Sequence, residues 1–494
     1  MVHLFLWRSD ASQKPDVYAV CVVNIGDRPA GAIATECAYM TADMYSKEFP
    51  LAAATIKDSS YVDDVVDSVN GIQNAKRLAS EVSYIYGKAN MHIKEWIFSG
   101  DTVKEEESVP IGTECDKSRV LGVLWKPASD VLTFEVKINF SEKKRKIRTG
   151  PDVLRADLEH QLPIILTRRI VMAQVMTIFD PQGLIAPVTI TARFLLRKTW
   201  SLKIGWDDDL GSDLRNEWLE FFKRLYDVSN LTFKRCLRPE GAIGNPQLII
   251  FSDGSDIAYG AAAYVRWTLA SGKYQCALVM GKGRILPLQK MSIPRSETNG
   301  GVVSKRLRCF LEKEMRYEFS EVIQFVDSKT VLGMLNRTSR RFSLYMGSRI
   351  GEIQSASKVD ENGRLTEWRW IPGNQNVADI ITRGATPDLL GPESVWQNGP
   401  DFLYRHREEW PDESEFDEKL PLEAEERTVV TVMSANVTKK DRFRKCMEYF
   451  SRLCRLLNTV VRIIKILRPD EEGNYFTHYR KQDWRIARQH LKPR

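Results

Sequence analysis

Apolar and polar positions change their period several times along the chain, and each change marks an element. From Pro246 the run PQLIIFSDGSDIAYGAAAYVRW is a continuous apolar stretch, a polar break at Asp253-Gly254-Ser255, and a second apolar stretch. This predicts a buried strand, a turn and a second strand, with Asp253 delivered to a strand end. YQCALVMGKG predicts a third strand. IPRSETNGGVVSKRLRCFLEKEM has helical spacing, with Ser296 as the candidate cap and Glu297 in the first turn. EVIQFVDSKTVLGML predicts a strand that ends at Asp327 and leads into a helix. TEWRWIPGNQNVADIITRG predicts strand, turn and helix, with Asp379 on the last element.

The flanking regions read differently. Residues 1–117 mix short apolar runs such as VYAVCVVNIG with a helical pattern, GIQNAKRLASEVSYIYGKA. Residues 118–240 pass from a strand-like LGVLWKPASDVLTFEVKI into helical stretches, among them TARFLLRKTW and LRNEWLEFFKRLYDV. The strand-rich part occupies 241–392. Residues 393–430 read as an acidic, Pro-bearing linker and 431–494 as a basic helical tail, with 16 Lys and Arg against 6 Asp and Glu. The expected fold is therefore multidomain, α/β and α+β, with a mixed sheet and helices in 241–392.

Composition narrows the function classes. The 494 residues are 43% hydrophobic and 28% charged, an ordinary globular balance, and the net charge of +7 permits a polyanionic partner without demanding one. Apolar runs fall far short of the roughly 20 residues of a membrane span. The N-terminus MVHLFLWRSD lacks the parts of a secretory signal, which points to an intracellular, cytoplasmic chain. The eight cysteines show no CxxC pair and read as reduced core thiols.

The candidate chemistry lies in carboxylates. Asp63 and Asp64 in SSYVDDVVDS sit between β-prone apolar residues and suit the tip of a hairpin. Adjacent carboxylates repel unless a cation neutralises them, and oxygen ligands of this kind suit Mg²⁺ or Mn²⁺. Asp253, Glu297, Asp327 and Asp379 form a second set, each at an element end.

In order along the chain, FLWR (5–8), GDRPA (26–30), YVDD (61–64), HIKEWIFSG (92–100) and LGVLWKPASD (121–130) resemble the reverse transcriptase palm of BEL/Pao-type LTR retrotransposon Pol polyproteins. The resemblance implies that Arg28 and Tyr61 lie near template and nucleotide, and that Asp63 and Asp64 are metal ligands. In that family a further aspartate precedes the FLWR segment, so a polymerase-inactive palm is expected here. FDPQGLIAPVTITARFLLRKTW (179–200) resembles the segment known as the Pao retrotransposon peptidase, yet the chain has neither DTG nor DSG, which speaks against aspartic peptidase chemistry. It is read as thumb or connection, with Arg193, Arg197 and Lys198 as candidate phosphate contacts.

The carboxylate order on the strand-rich part resembles ribonuclease H, and DGSDIAYGAAAY, KGRILPLQKMSIPRSE and NVADIITRG resemble its Pao-type form. The resemblance implies cleavage of RNA in RNA–DNA hybrids with Mg²⁺, Mn²⁺ being an alternative. Asp253 would bridge two ions, Glu297 and Asp327 would hold one, and Asp379 the other. It also implies the remaining Pol segments, fingers and integrase, as partners in trans, no membrane partner, and a virus-like particle or the nucleus as other locations. A non-catalytic nucleic-acid-binding remnant is the rival reading. Two departures bear on the site. The loop PGNQN before Asp379 has no His, which predicts slower turnover. Gly300 and Gly301 each cost about 1 kcal/mol in a helix relative to Ala, which predicts a loosely held Glu297.

Overall fold

A computed structural model describes residues 4–20, 22–23, 27–61, 64–100, 123–141, 150–337, 342–355, 357–361 and 365–411, with the pairs 109–110, 114–115, 118–119, 143–144 and 147–148 as backbone only. The chain divides into one unit, Met1–Arg427, and a second, Thr428–Arg494, whose expected basic helical tail lies outside the described residues.

A five-stranded mixed sheet organises the first unit. Its strands are β1 (Ala242–Gly254), β2 (Ala258–Leu269), β3 (Tyr274–Ile285), β4 (Glu321–Val326) and β5 (Trp368–Trp370), in spatial order β3-β2-β1-β4-β5. The first three form an antiparallel meander, and β4 and β5 add in parallel. Central β1 is buried on both faces, as its unbroken apolar run requires. Its side chains alternate. Leu248 and Ile250 meet α2 (Ile293–Glu314) through Val303, Leu307 and Leu311. Ile249 and Phe251 face a larger core containing Val188 and Ile190 of α1 (Ala186–Ser201), Ile381, Trp396 and Phe402. The buried alanines 261–263 of β2 let both layers approach closely.

This larger core does not stop at residue 240. Phe134, Leu158, Trp218 and Phe222 belong to it, so 123–233 and the sheet share one interior. Nor does the folded part end at 392. Trp396, Phe402, Leu403 and Trp410 are buried on the sheet, Tyr264 donates to the Trp396 carbonyl at 2.7 Å, and Arg266 donates to the carbonyls of Leu403 and Arg405 at 2.6 and 2.7 Å. The expected linker from 393 is corrected accordingly, because residues 393–410 supply apolar anchors that cover the sheet. The cysteine reading also changes. Among the described residues only Cys276 is buried, while Cys37, Cys236 and Cys309 are exposed.

The N-terminal part has its own small core. Helices Ala30–Tyr45, Pro50–Asp58 and Ile72–Lys88 pack through Ala42, Ala52, Ile56, Val82 and Ile85. Ser60–Tyr61 pairs antiparallel with Asp64–Val65, while Val62 and Asp63 lie outside the described residues. Two arginines hold the segment flanking this hairpin. Arg316, just past α2, donates to Asp67 Oδ1 at 2.5 Å and Ser59 Oγ at 2.7 Å. Arg235 joins Ser68 Oγ at 2.7 Å to Asp130 Oδ2 at 2.8 Å.

Candidate carboxylate site at the sheet end

β1 and β4 run parallel with Ser252 opposite Val326, so the next residue of each, Asp253 and Asp327, stands at the same end of the sheet. The helix α2 lands on that end backbone to backbone. A Cβ on Gly254 would stand 2.3 Å from the Glu297 nitrogen, and one on Gly300 would stand 2.4 Å from the Asp253 carbonyl oxygen. Only glycine leaves room for this approach, so Gly300 is what lets Glu297 reach the strand end. The expectation of a loosened Glu297 is thereby corrected: close packing outweighs the local propensity. The cap is corrected too. The helix starts one turn earlier, with Ser292 at its N-cap position, and Ser296 is buried inside it with its hydroxyl 3.3 Å from the Ala258 carbonyl. Asp379 opens α3 (Asp379–Arg383), which packs against α1 and β2.

Electrostatics links the four groups. Burial pushes Asp253 up to about 6, and repulsion from Asp327 and Asp379 adds to it against a hydrogen bond from Thr382. Burial pushes Glu297 up to about 7, opposed by Ser328 and reinforced by Asp327 and Asp253. Asp327 is raised as well, first by burial, with Asn376 opposing and Asp379 reinforcing.

Every one of the four carboxylates also has a polar neighbour that the sequence reading passed over. Thr382 donates to Asp253 Oδ2, and Ser328 donates to Glu297 Oε2 at 2.5 Å. Asn376 favours the ionised form of Asp327 and gives Nδ2 to the Ser252 carbonyl at 2.9 Å. Arg383 pairs with Asp379 Oδ1 at 2.5 Å. All four residues sit inside the motifs VDS, PGNQNVAD and ADIITRG, beside a carboxylate, which was the signal available.

Among the described residues, no three His, Cys, Asp or Glu side chains stand close enough to hold one metal ion. The donor set still fits a divalent cation by its chemistry. It is all oxygen, and its members repel one another and resist ionising without a counter-charge.

The other predicted residues lie elsewhere. Asp64 is half-buried in the N-terminal hairpin, Tyr61 and Arg28 are exposed, and Asp63 is outside the described residues. Arg193 donates to the Gly283 carbonyl at 2.8 Å, and Arg197 to those of Leu286 and Pro287 at 3.1 and 3.0 Å. These two guanidinium groups tie α1 to β3 and the loop after it, a structural placement rather than the phosphate-facing one expected. Lys198 pairs with Glu217.

Residues 167–328 match the family model described as the Pao retrotransposon-like RNaseH-like domain, the kind of segment that the motif order resembles. No curated protein matches the chain. Among solved structures, a likeness is found to a crystal structure of Prototype Foamy Virus Protease-Reverse Transcriptase, at 10% identity and a TM-score of 0.18, covering 73% of this chain. The chain spans 48% of that protein's length.

Proposed function

From a Pao retrotransposon-like RNaseH-like segment that holds three of the four carboxylates, we propose that this chain is a retrotransposon Pol fragment that cleaves RNA in RNA–DNA hybrids with Mg²⁺. The observation that carries the reading is the shared sheet end. Four acidic residues from four separated segments lie there within electrostatic reach, at least three of them with their ionised forms disfavoured by burial.

Asp253, Glu297, Asp327 and Asp379 would hold the metal. Two bound Mg²⁺ ions would supply an activated water and stabilisation of the leaving 3′-oxygen. The chain's own part is to fix the carboxylates. Gly254 and Gly300 bring two of them together, and Thr382 and Ser328 orient Asp253 and Glu297. Beside them, Lys329 lies over the Trp370 ring at 4.6 Å, and Trp370 donates to the Asp327 carbonyl at 2.9 Å. That aromatic and cationic pair gives a hybrid backbone a surface to rest on. Selection of RNA would follow from 2′-hydroxyl contacts and the A-like shape of the hybrid.

A second reading has its own observation. Leu4, Leu6, Trp7 and Val22 are between 59% and 77% exposed, an apolar N-terminal surface of the kind the non-catalytic remnant would carry. Hybrid cleavage in Mg²⁺ by the parent and by Asp253→Asn separates the two. The nuclease reading expects loss of cleavage with retained hybrid binding. Equal cleavage by both forms would contradict it.

A further inference from the structure

The neutral donors around the carboxylates follow a pattern that crosses elements. Ser328 follows Asp327 in sequence but bonds Glu297, on another element. Asn376 lies three residues before Asp379 but favours the ionised form of Asp327. Thr382 is one turn after Asp379 but bonds Asp253. Each late segment thus brings one carboxylate and also a donor for a carboxylate of a different segment. Resting on the nuclease reading, we propose that Thr382 is the positioning residue for Asp253, holding its carboxylate in place for a divalent ion.

Thr382 makes the clearest case because its hydroxyl has another partner available. It is fully buried, and its Oγ1 lies 3.2 Å from the Asp379 carbonyl, the usual acceptor for a threonine inside a helix. A hydroxyl has one proton to donate. A carboxylate is the stronger acceptor, so the proton goes to Asp253. This occupies one side of the Asp253 carboxylate and fixes its plane, leaving its remaining lone pairs for metal. The backbone supports the same docking, since Ser255 Oγ lies 3.4 Å from the Thr382 carbonyl and so ties the turn after Asp253 to α3. Ser328 and Asn376 are less clean to test. Ser328 also caps the helix Lys329–Leu335, and Asn376 also bonds the Ser252 carbonyl.

The test uses the full chain and Mn²⁺ alone, with free Mn²⁺ followed by electron paramagnetic resonance and no hybrid present. Thr382→Val removes the donor at nearly constant volume, and Thr382→Ser restores it. Thr382→Val is expected to weaken Mn²⁺ binding about 10-fold or more, the usual effect of losing a residue that orients a ligand. Its melting temperature should stay close to the parent's, and Thr382→Ser should recover affinity to within about 2-fold. Thr382→Ala carries the same expectation if the valine methyl disturbs folding. Parent-like Mn²⁺ binding by the valine and alanine forms would overturn the positioning role while leaving the nuclease reading intact. So would a serine form as weak as the valine form. A parent that binds no Mn²⁺ would overturn both.

Discussion

At the scale of single residues, Gly300 gives the sharpest conflict between local and tertiary preference. Helix propensity alone says that Gly300→Ala should stabilise by about 1 kcal/mol. The added methyl would stand 2.4 Å from the Asp253 carbonyl oxygen, a backbone atom that cannot swing aside. The expected outcome is destabilisation by about 1–3 kcal/mol and displacement of Glu297. Gly301→Ala meets the flexible end of Ile353 at 3.2 Å and the Trp368 ring at an ordinary contact distance of 3.6 Å, so it should be near neutral. Urea midpoints of the two variants check the contrast. The same crowding sets a pH dependence. Asp253 and Glu297 are raised to about 6 and about 7, so the folded protein binds protons that the unfolded chain has already lost. Their contribution is fully present below about pH 4 and is lost as pH rises through 6 to 7. The metal-free parent should therefore lose melting temperature over that window relative to the double variant Asp253→Asn, Glu297→Gln. A constant difference between the two curves would count against the burial account.

At the scale of elements, the strands were legible and the last anchors were not. QLIIF and VIQFV announced buried strands because both faces are covered, and the carboxylates at their ends followed from strand length. Trp396, Phe402, Leu403 and Trp410 escaped because they lie on single turns with neither helical nor strand period, next to an acidic stretch. The cap at Ser292 was missed for a related reason: Ser296 has the right residue type but is consumed inside the helix by Ala258. The role of 393–410 can be tested directly. Trp396 is fully buried and donates to the Leu184 carbonyl at 2.7 Å. Trp396→Ala should cost about 3–5 kcal/mol. Glu408→Ala, at an exposed position of the same segment, should stay within about 0.5 kcal/mol. Chemical denaturation of both variants distinguishes a packed segment from a linker, since a linker would make the two changes alike.

At the scale of the whole described unit, the N-terminal helices keep a separate core yet are fastened to the rest by Arg316 and Arg235. Arg316 is half-exposed and Asp67 only partly buried, so the pair is worth only about 1 kcal/mol, but it fixes the segment flanking the hairpin. Arg316→Ala should speed amide exchange between residues 59 and 68 and leave the five-stranded sheet protected. Unchanged exchange there would show that the fastening lies elsewhere. At the sheet end, the resemblance gave the order of the carboxylates and the parallel pairing of β1 and β4 gave Asp253 and Asp327 a shared location. The most direct measurement is cleavage of an RNA–DNA hybrid in Mg²⁺ by the parent and by Asp253→Asn, with melting temperature and hybrid affinity recorded at the same salt. Removing one carboxylate relieves repulsion, so the fold should hold or gain stability, and binding through Lys and Arg should persist. Cleavage should fall by several orders of magnitude, because activation of water and stabilisation of the leaving oxygen are each worth several kcal/mol. An Asp253→Asn protein that cleaves as fast as the parent would contradict the account.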